Sequence, residues 1–165
     1  MTQLFSMLLG ITLFTLSLNA NEHYLLPEHQ SDLMHTLKRK IARAENITII
    51  TSGLMNPSLA KSIEKGLTNG AVFHLITTDL ATAAYYAKYK NTTVKVPASD
   101  RVAENFQLNI FSINGSDVCF STLSFNTEDL TKQIGEVICT TAQEEIIFAE
   151  EIEKRFNERF EDYHR

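Results

Sequence analysis

The chain has 165 residues, 44% of them hydrophobic and 21% charged, with a formal net charge of −5. That length and apolar share suit one globular domain with a real core, and the acidic balance argues against a general nucleic-acid binder, which needs a basic surface. Two cysteines and five histidines stand at no spacing suited to a zinc ion, so neither a metal nor any other cofactor is expected.

Residues 2–20, TQLFSMLLGITLFTLSLNA, carry no charge, run apolar from Leu4 to Leu18 and end in Leu18-Asn19-Ala20. This is the pattern of a secretory signal peptide cut after Ala20. An uncleaved N-terminal anchor is the alternative, although the apolar run is short for a membrane span. The expected product is a single domain over residues 21–165, periplasmic or secreted, with no membrane contact once the signal is removed.

An extended lead-in over residues 21–30 precedes a helix capped by Ser31, with Leu33, Met34, Leu37 and Ile41 at helical spacing and Lys38, Arg39 and Lys40 turned mostly outward. The β-branched run Ile47 to Thr51 predicts a buried strand. Asn56-Pro57 opens the next helix, Leu59, Ala60, Ile63 and Leu67 form its inner face, and Asn69-Gly70 stops it. Residues 71–77, AVFHLIT, give a second strand, so residues 47–77 form a right-handed β-α-β unit with parallel strands. Asp79 caps a helix over residues 80–89, and Thr92 to Val96 returns to the sheet before Pro97.

Residues 107–125, QLNIFSINGSDVCFSTLSF, predict a β-hairpin turned by Asn114-Gly115, the dipeptide that supplies positive φ angles in tight turns. A further strand follows over residues 134–140, then one long helix over residues 142–163 with Phe148, Ile152, Phe156 and Phe160 on a core-facing stripe. Cys119 and Cys139 fall in consecutive predicted strands. In an exported chain they are a candidate disulfide, the other reading being two buried thiols that never meet.

This order of elements is similar to a single repeat of the phospholipase D-like superfamily, of the kind found in small secreted bacterial nucleases, over roughly residues 28–163. The hairpin carries the resemblance. The superfamily places His-x-Lys-x4-Asp-Gly on the strand and turn and Gly-Ser-x-Asn on the return strand; here Asn114-Gly115 stands for Asp-Gly and Ser121-Thr122-Leu123-Ser124 for the second motif, with Glu136 on the next strand. Counting back by the same spacing puts Gln107 at the histidine and Asn109 at the lysine. Lys95 and Asp100 offer a second register, which fails because Thr93 takes the histidine place, Pro97 interrupts the strand and Arg101 stands where glycine is expected.

The resemblance implies an α/β fold, a mixed central sheet with helices on both faces and a long C-terminal helix. It also implies chemistry that these residues do not supply. In the superfamily one histidine attacks phosphorus, a second protonates the leaving oxygen and lysines hold the phosphate, whereas a glutamine amide is neither nucleophile nor proton donor near neutral pH and Asn109 offers a dipole in place of a cation. The implied role is a non-catalytic binding or interaction module, pairing with itself because a single repeat supplies only half a cleft. Its polar groove, lined by Gln107, Asn109, Asn114 and Thr122, would take a phosphate- or sugar-bearing ligand through amides. The alternative is a phosphodiesterase or nuclease working through unorthodox residues or paired with an active homologue. The exported protein is expected to begin at Asn21, which mass spectrometry of the extracytoplasmic fraction checks; an intact Met1 recovered with membranes overturns the reading.

Overall fold

The computed structural model describes residues 21–99, 103, 106 and 108–164. The expected signal segment and Gln107 lie outside the described residues. Eight strands form one mixed sheet in the order β1-β7-β6-β5-β2-β3-β4-β8. They are β1 (Glu22–Leu26), β2 (Asn46–Thr51), β3 (Val72–Thr77), β4 (Thr92–Pro97), β5 (Asn109–Ile113), β6 (Asp117–Ser121), β7 (Gly135–Thr140) and β8 (Phe160–Asp162). The helices are α1 (Gln30–Ile41), α2 (Pro57–Thr68), α3 (Leu80–Tyr86), α4 (Thr127–Lys132) and α5 (Gln143–Asn157).

The β2-α2-β3 and β3-α3-β4 units are parallel, as their connecting helices require. The other neighbouring pairs in the sheet are antiparallel. Alternation along β2, β3 and β5 splits the core in two. Ile47, Ile49, Phe73, Leu75 and Phe111 face α1, α2 and α3, while Ile50, Ile76, Ile110 and Val118 meet Ile146 and Ala149 of α5 on the other side. Pro57 at the first turn of α2 gives up an N–H that had no helical partner, and Asn56 Oδ1 accepts from the next two, Ser58 N (3.0 Å) and Leu59 N (3.1 Å).

Several expectations are corrected. The lead-in is extended as expected and pairs as an edge strand, β1, whose Leu25 is held on both sides by His29: Leu25 N–H donates to His29 Nδ1 (3.2 Å) and His29 N–H donates to Leu25 O (2.8 Å). The expected long helix stops at Asn157. Phe160 then packs against Phe106 and Phe156 and starts β8, which covers the otherwise open edge of β4. Phe148 is 56% exposed, because the buried line of α5 runs through Ile146 and Ala149 and leaves Phe148 beside it, leaning on Phe120 of β6. The helix α4 was not expected, and its single buried apolar residue, Leu130, explains why no periodicity marked it.

Cys119 and Cys139 are direct partners across β6 and β7 and are joined by a disulfide. It closes a segment with a sequence separation of 20, which restricts the unfolded chain by about 3 kcal/mol.

Asn114 holds the hairpin turn at φ 55°, and its Oδ1 accepts from Glu45 N (2.8 Å) and Asn46 N (3.0 Å) at the start of β2. The short amide side chain thus tolerates the left-handed conformation and supplies the acceptor that anchors the turn. Asn114→Ala is expected to lower unfolding stability by about 1–2 kcal/mol, through lost acceptance and the positive φ. Asn114→Asp, which keeps an acceptor, loses less; urea denaturation of both variants checks the order.

Candidate functional site

The C-terminal ends of β2 and β3, the first residue of β5 and the last of β6 meet at one end of the sheet. Asn109 opens β5 beside Thr51, the last residue of β2. Its Oδ1 accepts from Thr51 Oγ1 (2.7 Å) and from the backbone N–H of Ser52 (3.2 Å), and the residue is 4% exposed. The peptide donor settles which amide atom points inward, since only the oxygen accepts from an N–H. The one Thr51 hydroxyl proton is shared between Asn109 Oδ1 and Gly53 O (2.9 Å) and its oxygen accepts from Gly53 N (3.2 Å), so the hydroxyl folds the strand end into its exit loop.

Opposite Asn109, Ser121 Oγ donates to Leu123 O (2.6 Å) and accepts from Leu123 N (3.1 Å), closing a tight turn. Thr122 is exposed at the adjoining bend and prolongs the ladder to β7: its Oγ1 accepts from Glu136 N (2.9 Å) and its N–H donates to Glu136 O (3.0 Å). Ser124 is buried and donates to Asp129 of α4. Asn126 Oδ1 accepts from Met55 N (2.7 Å), and Phe125 N donates to Gly53 O (3.0 Å). Asn126's amide lies where a Cβ on residue 53 would sit, so a larger residue there would push the amide off Met55 N. Together these bonds staple the loop 52–56 to the loop 122–127.

The four expected groove residues are not gathered. Asn109 and Thr122 lie at this end of the hairpin and Gln107 is outside the described residues. Asn114 stands at the turn, five positions along β5 from Asn109 and so about 17 Å away. Seven positions along an extended strand carry its two ends far apart, so nearness in sequence makes no shared groove here. What sequence reasoning missed is the part played by Thr51, Ser52, Gly53 and Asn126; the run Thr51-Ser52-Gly53 directly after a buried strand was the available signal.

Among the described residues no Lys or Arg takes part in this network. Among the described residues no group of three or more His, Cys, Asp or Glu side chains is arranged to hold a metal ion. Glu136 is half-buried and paired with His23 Nδ1 at 3.1 Å. His74 lies on β3, on the α5 side of the sheet near Glu153, whose carboxyl is pushed above the usual range by burial although His74 opposes the shift. Neither histidine reaches Asn109's network. No helix among the described residues is long and apolar enough to cross a membrane.

NucT from Helicobacter pylori superimposes with a TM-score of 0.76 at 18% identity, covering 87% of this chain and 99% of that one. The phospholipase D family member Nuc from Salmonella typhimurium follows at 0.68 and 14%, covering 88% and 99%. This chain has a phospholipase D-like fold. The same frame occurs in TrmBL2, an archaeal chromatin protein with a novel mode of DNA binding, at a TM-score of 0.61 and 14% identity, covering 87% of this chain and 55% of that one. Neither a family model nor a curated protein matches the sequence. The likeness is therefore one of backbone, and the hydrogen bonds above belong to this sequence.

Asn109→Ala leaves the Ser52 N–H short of an acceptor and is expected to cost about 1–3 kcal/mol, while Thr122→Val, at an exposed bend, costs less. Chemical denaturation of the two variants measures the difference.

Proposed function

We propose that this protein is an exported phospholipase D-like domain that has lost its catalytic set and serves as a binding or interaction module, working as a pair of identical chains. The observation that carries the reading is Asn109. At the position matching the phosphate-clamping lysine stands a neutral amide whose oxygen accepts from Thr51 and Ser52, so it braces the fold where a clamp would reach for a ligand. A neutral dipole in that place supplies far less stabilisation to a developing phosphoryl charge than a cation does. TrmBL2, described as a chromatin protein, is a case of this frame in a protein named for something other than catalysis. Export rests on the uncharged apolar run before Asn21, and pairing rests on the half-cleft that one repeat provides. A phosphate- or sugar-bearing ligand would meet hydroxyls and amides, such as the exposed Thr122.

The purified protein is expected to turn over neither bis(p-nitrophenyl) phosphate nor single- or double-stranded nucleic acid above the level of an inactive control. Phosphodiesterase activity that co-purifies with the chain and disappears in both Gln107→Ala and Asn109→Ala overturns the proposal in favour of an enzyme with unorthodox residues. Activity that arises only on mixing with an intact homologue favours a half-site lent to an active partner.

A further inference from the structure

In a chain whose net charge is −5, the last turn of α1 carries Lys38, Arg39 and Lys40, and Arg43 follows just past its end. The partial negative charge at a helix C-terminus amounts to about half an elementary charge, which a single base offsets. Lys40 is already engaged: its Nζ lies 2.7 Å from Asp117 Oδ1 of β6 and 3.9 Å from Glu22 Oε2 of β1. Arg39 and Arg43, one helical turn apart, have no carboxylate partner among the described residues. Two guanidinium charges therefore stand side by side without a counterpart.

These bases line a concave site. Arg39, Lys40 and Arg43 form one wall of a cleft of about 190 Å³, and Ile113, Asn114 and Asp117 of the β5–β6 hairpin form the other. Asp117 is the one acid in the lining, and Lys40 holds its carboxylate. Asn114 adds a donor. Its Oδ1 is taken by the N–H groups of Glu45 and Asn46, which fixes the amide's orientation and leaves its NH2, for which no acceptor occurs among the described residues. A cavity of about 150 Å³ holds benzene; a phosphate group has fewer non-hydrogen atoms, so this cleft has room for it and the start of a substituent.

We propose that the cleft between the end of α1 and the β5–β6 turn binds the phosphate group of a small phosphate monoester, with Arg39 and Arg43 clamping its oxygens and the Asn114 NH2 donating to it from across the cleft. Such a group carries about −1.5 to −2 charge near pH 7 and three acceptor oxygens, which matches two unpaired guanidinium forks and a third donor; a carboxylate brings one charge and two oxygens. Guanidinium groups meet these oxygens two at a time. A polyanion is disfavoured, because the net charge of −5 repels it beyond this one patch. The site is separate from the sheet end that holds Asn109 and Thr122, and stands whether or not that end binds or cleaves anything.

Inorganic phosphate, titrated into ¹⁵N-labelled protein at constant ionic strength, is expected to shift the Nε–H groups of Arg39 and Arg43 and the side-chain NH2 of Asn114 saturably. Half-saturation should fall at about millimolar concentration for so small a ligand. Acetate should bind about tenfold more weakly, since it makes fewer charge-assisted hydrogen bonds. The double variant Arg39→Gln/Arg43→Gln should lose the shift at Asn114 and melt close to the parent, because both side chains are exposed. Asn114→Asp keeps the acceptor for Glu45 and Asn46 but replaces the NH2 with a carboxylate oxygen, so phosphate binding should weaken about tenfold. Glycerol 3-phosphate and phosphatidic acid both present a phosphate monoester: competition with inorganic phosphate by the first assigns a soluble ligand, and sedimentation with phosphatidic acid vesicles that the double variant loses assigns a lipid headgroup. Four results overturn the proposal: no saturable shift at those side chains, an equal response to acetate, a shift that survives in the double variant, or phosphate binding unchanged in Asn114→Asp.

Discussion

The seam between β2 and β5 joins the parallel half of the sheet to the antiparallel half, and an asparagine locks each end of it. At the hairpin turn Asn114 accepts the N–H groups of Glu45 and Asn46, and at the opposite end Asn109 accepts from Thr51 and Ser52. Between them Ile47 to Ile50 pair with Ile113 to Ile110. A slip of one residue would reverse which side chains face each half of the core. Two side-chain amides therefore fix a register on which both apolar layers depend.

The hydrogen-bond demands at position 109 show why an asparagine suits it. A lysine at position 109 would bring a charge to a place that is now almost sealed, next to a hydroxyl and a peptide N–H that need an acceptor, and a lysine ammonium cannot accept. The asparagine meets that need, but its oxygen is then unavailable to a ligand. The loops 52–56 and 122–127 repeat the pattern, since Asn126, Ser124 and Ser121 spend polar atoms on holding backbone. Polar residues at the end of a sheet mark a binding surface only when their hydrogen bonds remain open to an incoming group.

Strong local signals made most of the fold legible in the sequence. β-Branched runs marked β2 and β3, proline at the first turn with a capping asparagine marked α2, and Asn114-Gly115 marked the hairpin. Elements set by tertiary contact were not legible. Whether Phe160 continues a helix or starts β8 depends on the unpaired edge of β4 and on Phe106, neither of which is local to it. Phe148 has the spacing of a core residue, yet the angle at which α5 crosses the sheet puts Ile146 and Ala149 inward instead. The site was legible as a set of motif positions and not as a place, because spacing along a strand says which face a side chain takes and says nothing of what already fills the space in front of it.

The bridge between Cys119 and Cys139 has a consequence for how the molecule withstands cutting. The span it encloses contains the Thr122 bend, α4 and the exposed Ile134, which are the sort of surface segments that proteases attack. A single scission between the two cysteines would yield two fragments that stay covalently attached, with β6 and β7 still side by side in the sheet. The severed chain would travel as one species until a reductant released it, so a clipped domain would keep its architecture.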